Sequence, residues 1–387
     1  MVTLRSFEVP TAVKHAPGAL GALADEVKAL GVKRPLLVTD KGLVDAGLAA
    51  EATAVLKAGG VDYTVFNEVV ANPPIALVDR GAQVYRSERC DGLIGLGGGS
   101  PMDTAKAIGV VAVHGGSAIA YEWAAVQPIT RSIPPLITVP TTSGTGSEVT
   151  LWAVITDPAR KIKFNMGGTP LIAPRVALID PQLTLGLPAP ITAGTGLDAL
   201  THAIECYTCA YAQPWPDAVA LWAIETIAEW LPVAFAQGQN REARYKMAMA
   251  AMLAGMSYGT ESAGAVHAMS QTAGGVYDLP HGTLTASLLP AVMAYNYLGE
   301  PHKYARIAQA MGENTRGLAV WEAAERAVDS VTRLVKLLEI PSLRELGIHE
   351  VDVPELAELA FADPQTVGNP RDLTRQSYEQ IYYSCFR

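Results

Sequence analysis

Short apolar runs alternate with longer helical periods through the first half of the chain. The strand-like runs are PLLVTD (Pro35 to Asp40), VDYTVF and DGLIGLGGG, and helical periods fill the intervals, one to about Gly59 and one from Pro73 to Arg89. This alternation is typical of parallel βαβ units, in which each helix returns the chain to the same end of the sheet. The pattern therefore predicts an α/β domain built on a parallel sheet.

The pattern changes near residue 187, where the strand signals fade. Long apolar segments with a 3.6-residue period follow, at Ile191 to Cys209, Pro214 to Gln237, Arg241 to Tyr258 and Val320 to Leu338. Proline and hydroxyl residues interrupt the uncharged stretch from Gly282 to Gly299, so it predicts a buried helix rather than a membrane span. We expect a dinucleotide-type α/β domain over residues 1–187, an all-helical domain over 188–387, and a shared cleft.

Composition and charge narrow the classes of partner. The 387 residues are 49% hydrophobic and 17% charged, which fits a compact core and excludes disorder. The net charge is −9 and no basic block occurs, so neither nucleic acid nor an anionic membrane is expected as a partner. Four cysteines in a chain of this length favour free thiols, and the N-terminus shows no secretion signal. These features predict a cytoplasmic protein.

A glycine-rich segment, GLGGGSPMDTAKAIG, follows the third strand-like run. Gly97 to Gly99 end the predicted strand, Ser100 and Pro101 suit the start of a helix, and Asp103 is spaced from Ser100 as in a capping box. Glycines allow a ligand to approach the backbone, and the free N–H groups of a helix N-terminus favour an anion. The segment predicts a phosphate cradle, although an ordinary strand-to-helix turn has the same form.

Two further features suit a nucleotide. The hydroxyl-rich loop VPTTSGTGSEVT, from Val139 to Thr150, offers donors to a phosphate or ribose, as an ordinary surface loop also does. Asp40 ends the first strand-like run, where a carboxylate accepts hydrogen bonds from ribose hydroxyls and repels a 2′-phosphate. The same residue could equally cap a helix.

The helical half contains a candidate metal-ligand set. Asp198 and His202 are four residues apart and share a helix face, and His267 and His281 bracket GAVHAMSQTAGGVYDLPHG. One carboxylate and three imidazoles suit a divalent metal of the iron or zinc type with room for an exogenous oxygen. Any single pair is more often structural, but the grouping of three of the seven histidines beside one aspartate favours a metal. The other histidines are interpreted as structural: His15, His114, His302 and His349.

Five ordered motifs together resemble the iron-containing (group III) alcohol dehydrogenase family. They are GGGSPMDTAKAI, PTTSGTGSEVT, GLDALTHAIE, the H-x13-H spacing that ends in YDLPHG, and NPRDLT near the C-terminus. The resemblance runs nearly end to end. It implies a Rossmann-like N-terminal domain and an all-α C-terminal domain, an architecture like that of dehydroquinate synthase, with NAD and a divalent metal meeting between them.

The resemblance also assigns residues by position. The implied metal ligands are Asp198, His202, His267 and His281. The implied cofactor positions are Asp40, Asn72, Gly97, Gly98, Gly99, Ser100, Asp103, Thr141, Thr142 and Lys163, with an acidic residue at position 40 going with NAD rather than NADP. Many members carry a further histidine near the nicotinamide, four residues after the third ligand. Gln271 stands there in this chain, and an amide cannot titrate near neutral pH.

The implied activity is hydride transfer between an alcohol, or its aldehyde or ketone, and NAD(H). The metal, with Fe(II) favoured and Zn(II) tolerated, lowers the pKa of the alcohol oxygen. The family commonly forms dimers or larger assemblies. A lyase resembling 3-dehydroquinate synthase is the alternative, but it needs basic side chains for a phosphorylated substrate, and the sequence around the ligands is poor in them. A non-catalytic dinucleotide fold would be favoured by lost ligands, and all four are present.

Overall fold

The computed structural model describes residues 7–123, 127–258 and 263–386. Two compact units make up the chain, one of residues 1–142 and 146–184 and the other of residues 143–145 and 185–387. All the described strands belong to the first unit: β1 (Ala12–His15), β2 (Pro35–Asp40), β3 (Thr64–Val69), β4 (Gly92–Gly97), β5 (Leu136–Pro140), β6 (Trp152–Asp157), β7 (Ile162–Gly167) and β8 (Val176–Ile179).

Six of these strands form one parallel sheet in the order β1-β8-β5-β4-β2-β3. Neighbouring residues of β2 enter opposite cores, since Leu36 and Val38 pack in one cluster and Leu37 in the other. Both faces of the sheet are therefore covered, which is why its strands are continuous apolar runs rather than alternating ones. The predicted α/β class is confirmed.

The helices of this unit follow the strands as expected, with one difference. They are α1 (Leu23–Ala29), α2 (Lys41–Asp45), α3 (Leu48–Ala58), α4 (Ile75–Ser87) and α5 (Gly99–His114). The single helix expected up to Gly59 is two helices, because Gly47 adopts a left-handed conformation with φ +85° and breaks the run. The sequence pattern did not predict the antiparallel hairpin β6-β7 beside the parallel sheet.

The second unit is helical among its described residues, as the 3.6-residue period predicted. Its helices are α6 (Ala189–Thr208), α7 (Pro214–Ala236), α8 (Arg241–Tyr258), α9 (Ala265–Tyr277), α10 (His281–Asn296), α11 (Pro301–Ala310), α12 (Val320–Leu337), α13 (Val353–Ala362) and α14 (Arg375–Ser384). They share one apolar core. The four predicted helices end within two residues of the observed bounds, and the uncharged stretch from Gly282 is the buried helix α10.

One described helix, α7, is long and apolar enough to cross a membrane by length and composition alone. Core helices of soluble proteins pass the same test, so it is weak evidence. Ile224, Ile227 and Leu231 on this helix are fully buried in the core of the helical unit. Packing against this core accounts for the apolar residues on one face of α7.

Candidate functional site

The cofactor positions expected in the first unit lie at one edge of the parallel sheet. Asp40 ends β2, Asn72 follows β3, Gly97 ends β4, and Thr141 follows β5. These four strands are neighbours, and parallel strands share the edge at which they end. The chain leaves β2 toward β3 but leaves β4 toward β5, so the topology reverses between β2 and β4. Ligands of open α/β sheets bind at such a reversal.

Helix α5 begins two residues earlier than the capping pattern suggested, at Gly99 rather than Pro101. Gly97 has φ +148°, a conformation that side chains rarely permit, and Gly98 is the N-cap of α5. Ser100 therefore lies inside the first turn, and the expected capping box from Ser100 to Asp103 is wrong. No side-chain cap closes this N-terminus, so its N–H groups remain suited to an anion.

The hydroxyl-rich loop lies directly against the glycine loop. The backbone N–H of Thr141 donates to the Gly97 carbonyl at 3.0 Å. A Cβ atom added to Gly98 would lie 3.3 Å from Oγ1 of Thr142. The structure thus brings two separately predicted segments together at the end of β4 and β5.

A fully buried lysine ties these two loops together. Lys106 Nζ donates to Ser147 Oγ at 2.9 Å, to the Thr150 carbonyl at 3.0 Å and to the Trp152 carbonyl at 2.7 Å. Asp103 accepts from Ser147 Oγ at 2.5 Å and from the N–H of Val154 at 3.0 Å. Both oxygens of Asp103 are therefore engaged by the protein, and Asp103 holds the hydroxyl-rich loop in place.

Three further residues expected at the cofactor site, Asp40, Lys163 and Asn72, lie in different local structures. Asp40 caps α2 by accepting the N–H of Leu43 at 2.9 Å, so the helix-cap interpretation of Asp40 is correct. Capping by Oδ1 does not preclude a contact of the carboxylate with a ribose. Lys163 lies buried in β7, paired with Thr156 of β6, and Asn72 has left-handed backbone with φ +51°.

Because Glu148 is buried near Lys106, we expect the free energy of unfolding to depend on pH. Burial raises the pKa of Glu148 from 4.5 to about 7, although nearby Lys106 opposes the rise. The folded chain then holds a proton that the unfolded chain releases, so stability is lost as the pH rises from 4.5 to 7. Glu148→Gln should remove that part of the pH dependence, at most about 3 kcal/mol. Urea unfolding of both proteins from pH 5 to pH 8 measures it, and parallel curves would contradict the assignment.

Four side chains from three helices of the second unit meet in one cluster, in which His281 alone is partly exposed. Asp198 and His202 come from α6, His267 from α9, and His281 is the first residue of α10. Asp198 Oδ1 lies 3.6 Å from Nε2 of His281 and 4.0 Å from Nε2 of His267. One ligand atom from each of Asp198, His267 and His281 can be chosen so that all lie within 4.8 Å of one another. Metal–ligand bonds of about 2.1 Å could span such a group.

His202 completes the cluster. Its Nε2 lies 3.0 Å from Nε2 of His267, and its buried Nδ1 makes no hydrogen bond. Burial lowers the pKa of His202 to about 4, against the pull of Asp198, so the ring is neutral at pH 7. A neutral imidazole is the form that binds a metal. Two ring nitrogens facing each other beside a carboxylate fit a divalent cation.

The pKa shifts of Asp198 and His267 also fit a cation site. Burial raises the pKa of Asp198, but the imidazoles of His202, His281 and His267 outweigh it, so the net pKa falls below its usual value. Burial lowers the pKa of His267, but the hydrogen bond and charge of Glu205 outweigh it and raise the net pKa. A metal must then compete with a proton at His267, so binding should weaken as the pH falls.

Sequence reasoning missed Glu205. Its Oε2 lies 2.5 Å from Nδ1 of His267, and its Oε1 accepts the N–H of Val266 at 2.7 Å. The signal was available, because Glu205 is seven residues after Asp198 and three after His202, which places all three on one face of α6. Gln271 lies one turn after His267 on α9 and is 4% exposed, so its amide is inside the protein.

Both units of the chain match one family of known proteins. Residues 10–181 match the model of iron-containing alcohol dehydrogenases, and residues 192–386 match the C-terminal model of the same family. The chain is 52% identical to a choline dehydrogenase of Bacillus subtilis (strain 168), over 100% of this chain and 96% of that protein. It is 40% identical to an NAD-dependent methanol dehydrogenase of Bacillus methanolicus, over 98% and 99%. A crystal structure of 1,3-propanediol oxidoreductase superposes with a TM-score of 0.95 at 41% identity, covering 99% of this chain and 100% of that one.

A parallel sheet with a nucleotide-type edge and a carboxylate–imidazole cluster are together the parts of a metal-dependent oxidoreductase. The matches over both units show the particular family: the chain belongs to the iron-containing alcohol dehydrogenases. As a member it interconverts an alcohol and its aldehyde or ketone, and it uses NAD(H) and a divalent metal. The family expectation drawn from the motifs is confirmed.

Proposed function

We propose that Asp198, His202, His267 and His281 hold the divalent metal of this dehydrogenase, with Fe(II) favoured over Zn(II). The convergence of α6, α9 and α10 on one carboxylate and three imidazoles is the observation that carries this proposal. The donor set fits either ion, because imidazole and carboxylate bind both.

The NAD site is assigned to the carboxyl edge of the parallel sheet. Its proposed residues are Asp40, Asn72, Gly97, Gly98, Gly99, Ser100, Asp103, Thr141, Thr142 and Lys163. Support comes from the reversal between β2 and β4 and from the uncapped N-terminus of α5. We assign residues 1–187 to the dinucleotide-binding domain and residues 188–387 to the metal and substrate domain.

When bound, the metal supplies Lewis acidity toward the alcohol oxygen and the nicotinamide accepts the hydride. The chain supplies placement and charge. Asp198 is held ionised, and the Thr285 hydroxyl donates to its Oδ1 at 3.1 Å. His202 stays neutral at physiological pH because of its burial. Gln271, proposed near the nicotinamide, cannot take up a proton, so the alcohol proton is expected to leave through water or the cofactor ribose.

The proposed substrate is a small alcohol, and a panel of alcohols tests the reaction class. The panel contains 1-propanol and 1,2-propanediol together with the alcohols named for the relatives, namely methanol, choline and 1,3-propanediol. We expect NADH to form with at least one member, and the matching aldehyde to be reduced in the reverse direction. A lyase would form no net NADH with any alcohol.

Cofactor choice is predicted to depend on the charge of Asp40. Asp40→Asn keeps the side-chain oxygen that caps α2 but removes the charge that would repel a 2′-phosphate. The ratio of kcat/KM with NADP to kcat/KM with NAD should rise by about tenfold. Steady-state kinetics with both cofactors measures the ratio.

The control for this variant is Asp45→Asn. Asp45 is an exposed carboxylate on the same short helix, so its neutralisation should leave the ratio unchanged. A wild-type enzyme that already prefers NADP would show that Asp40 is misplaced in the proposal.

We also propose that the protein is cytoplasmic and forms a homodimer or a larger homo-oligomer. Trp215 and Trp222 on α7 are 62% and 41% exposed, which is apolar surface that an assembly could cover. Light scattering of the purified chain would give its mass in solution. A monomer at all concentrations would contradict the proposed assembly.

A further inference from the structure

The N-terminus of α9 carries His267 and is held by two side chains from elsewhere in the helical unit. The N–H of Ala265 donates to Asn369 Oδ1 at 3.3 Å, and the N–H of Val266 donates to Glu205 Oε1 at 2.7 Å. The N-cap residue Gly264 has no side chain to supply either bond. Glu205 therefore acts as the cap of a helix to which it does not belong, and its charge is favoured at a helix N-terminus.

An amide pair holds the second acceptor at this helix end, and Gly264 closely approaches Glu205. Asn369 and Asn296 form a reciprocal amide pair, with donor–acceptor distances of 2.7 and 2.8 Å. A Cβ atom on Gly264 would lie 2.8 Å from Glu205 Oε1 and 3.4 Å from Asn369 Oδ1, so glycine is required for this close approach. The carboxylate is 5% exposed and has little freedom to move. The NPRDLT motif, which contains Asn369, thereby gains a structural role.

The second oxygen of Glu205 determines which nitrogen of His267 carries the proton. Nδ1 of His267 lies 2.5 Å from Oε2, and because a carboxylate oxygen accepts hydrogen bonds, this geometry favours Nδ1–H as the donor. In the neutral ring the lone pair is then on Nε2. That atom faces His202 Nε2 at 3.0 Å and Asp198 Oδ1 at 4.0 Å.

We propose that Glu205 is a positioning residue of the metal centre, which sets the tautomer and orientation of His267 and so determines the affinity for the metal. The inference rests on the proposed function, in which His267 is one of the four ligands. Hydrogen-bond partners of ligating histidines typically alter metal affinity by about 10- to 100-fold when they are changed.

Glu205→Gln tests the proposal because it keeps the shape and changes only the chemistry. The N–H of Val266 requires an acceptor, so the amide oxygen is expected to stay there and the amide NH₂ to face His267. Nδ1 would then accept, the proton would move to Nε2, and Nε2 would be lost as a ligand. The apo protein should show this exchange in the ¹⁵N shifts of His267, recorded at alkaline pH.

Two variants make the affinity measurement decisive. The stripped proteins are titrated with Zn²⁺ against a chelating dye, with Asn296→Ala as the structural control and His281→Ala as the ligand control. Asn296 supports the same helix end without touching His267, so Asn296→Ala should lower Tm while changing affinity less than about threefold. Glu205→Gln should weaken binding by about 10- to 100-fold at a similar or smaller loss of Tm.

The outcomes separate the two claims. Tight binding by Glu205→Gln, or equal weakening in Glu205→Gln and Asn296→Ala, would overturn the positioning role and leave the metal site intact. Tight binding by His281→Ala would instead overturn the metal site itself. If Glu205→Gln does not fold, the wild-type apo protein still decides the matter, because a proton on Nε2 of its neutral His267 would contradict the proposal.

Discussion

Replacing His281 by alanine is expected to abolish bound metal and alcohol oxidation together while the fold survives. His281 begins α10 and its side chain is 28% exposed, so its loss leaves no buried cavity of consequence. It does remove one imidazole from the cluster, and Nε2 of that ring is 3.6 Å from Asp198 Oδ1. His267→Ala should have the same effect on metal and turnover, with a larger loss of stability, because His267 is 3% exposed and bonded to Glu205.

The measurement is elemental analysis and NADH formation on the same preparation. His302→Ala is the control, since His302 lies on α11 and is assigned no ligand role. A His281→Ala enzyme with full metal content and normal turnover would remove this residue from the site.

Replacing Lys106 by methionine is expected to cost about 3–5 kcal/mol of stability, the range for breaking a buried ion pair. Lys106 is 0% exposed, and burial lowers its pKa to about 8, so it is charged at pH 7. Methionine fills the space of the side chain but leaves the carbonyls of Thr150 and Trp152 without their donor. It also leaves Asp103 buried without the cation at 3.9 Å.

The same change should loosen the hydroxyl loop, because Lys106 and Asp103 hold Ser147 from two sides. Urea unfolding at pH 7 measures the free energy of unfolding, and a fluorescence titration with NADH measures the effect on the proposed NAD site. Lys57→Met on the exposed face of α3 is the control and should change stability by less than about 0.5 kcal/mol. A loss below about 1 kcal/mol for Lys106→Met would show that the network contributes little.

The sequence predicted those parts of the fold whose signal is local. The helices of the second unit repeat apolar residues on one face over many turns, so their ends were placed within two residues. The break at Gly47 was missed because both helices share one helical period, and only the left-handed φ of that residue separates them. The capping box at Ser100 failed because the unusual φ of Gly97 starts the helix earlier than the capping pattern suggests.

Some residues of the candidate sites could likewise be predicted from the sequence, and others could not. The proposed ligand set Asp198, His202, His267 and His281 could be picked out of the sequence because residue type and spacing carry its chemistry. The burial of Lys106 was not visible, because it depends on the chain from Ser147 to Trp152 folding over α5. Glu205 lay within reach of helical spacing, but its role depends on the first turn of α9, some sixty residues away along the chain.

Reconstitution of metal-stripped enzyme tests whether alcohol oxidation by this chain depends on a bound divalent metal. The wild-type chain is treated with a chelator, and Fe(II) or Zn(II) is returned stepwise under anaerobic conditions in the presence of NAD and a small alcohol. We expect NADH formation to cease on stripping and to return in proportion to metal, reaching its limit at one ion per chain. Full activity in the stripped enzyme, or metal bound without any return of alcohol oxidation, would contradict it.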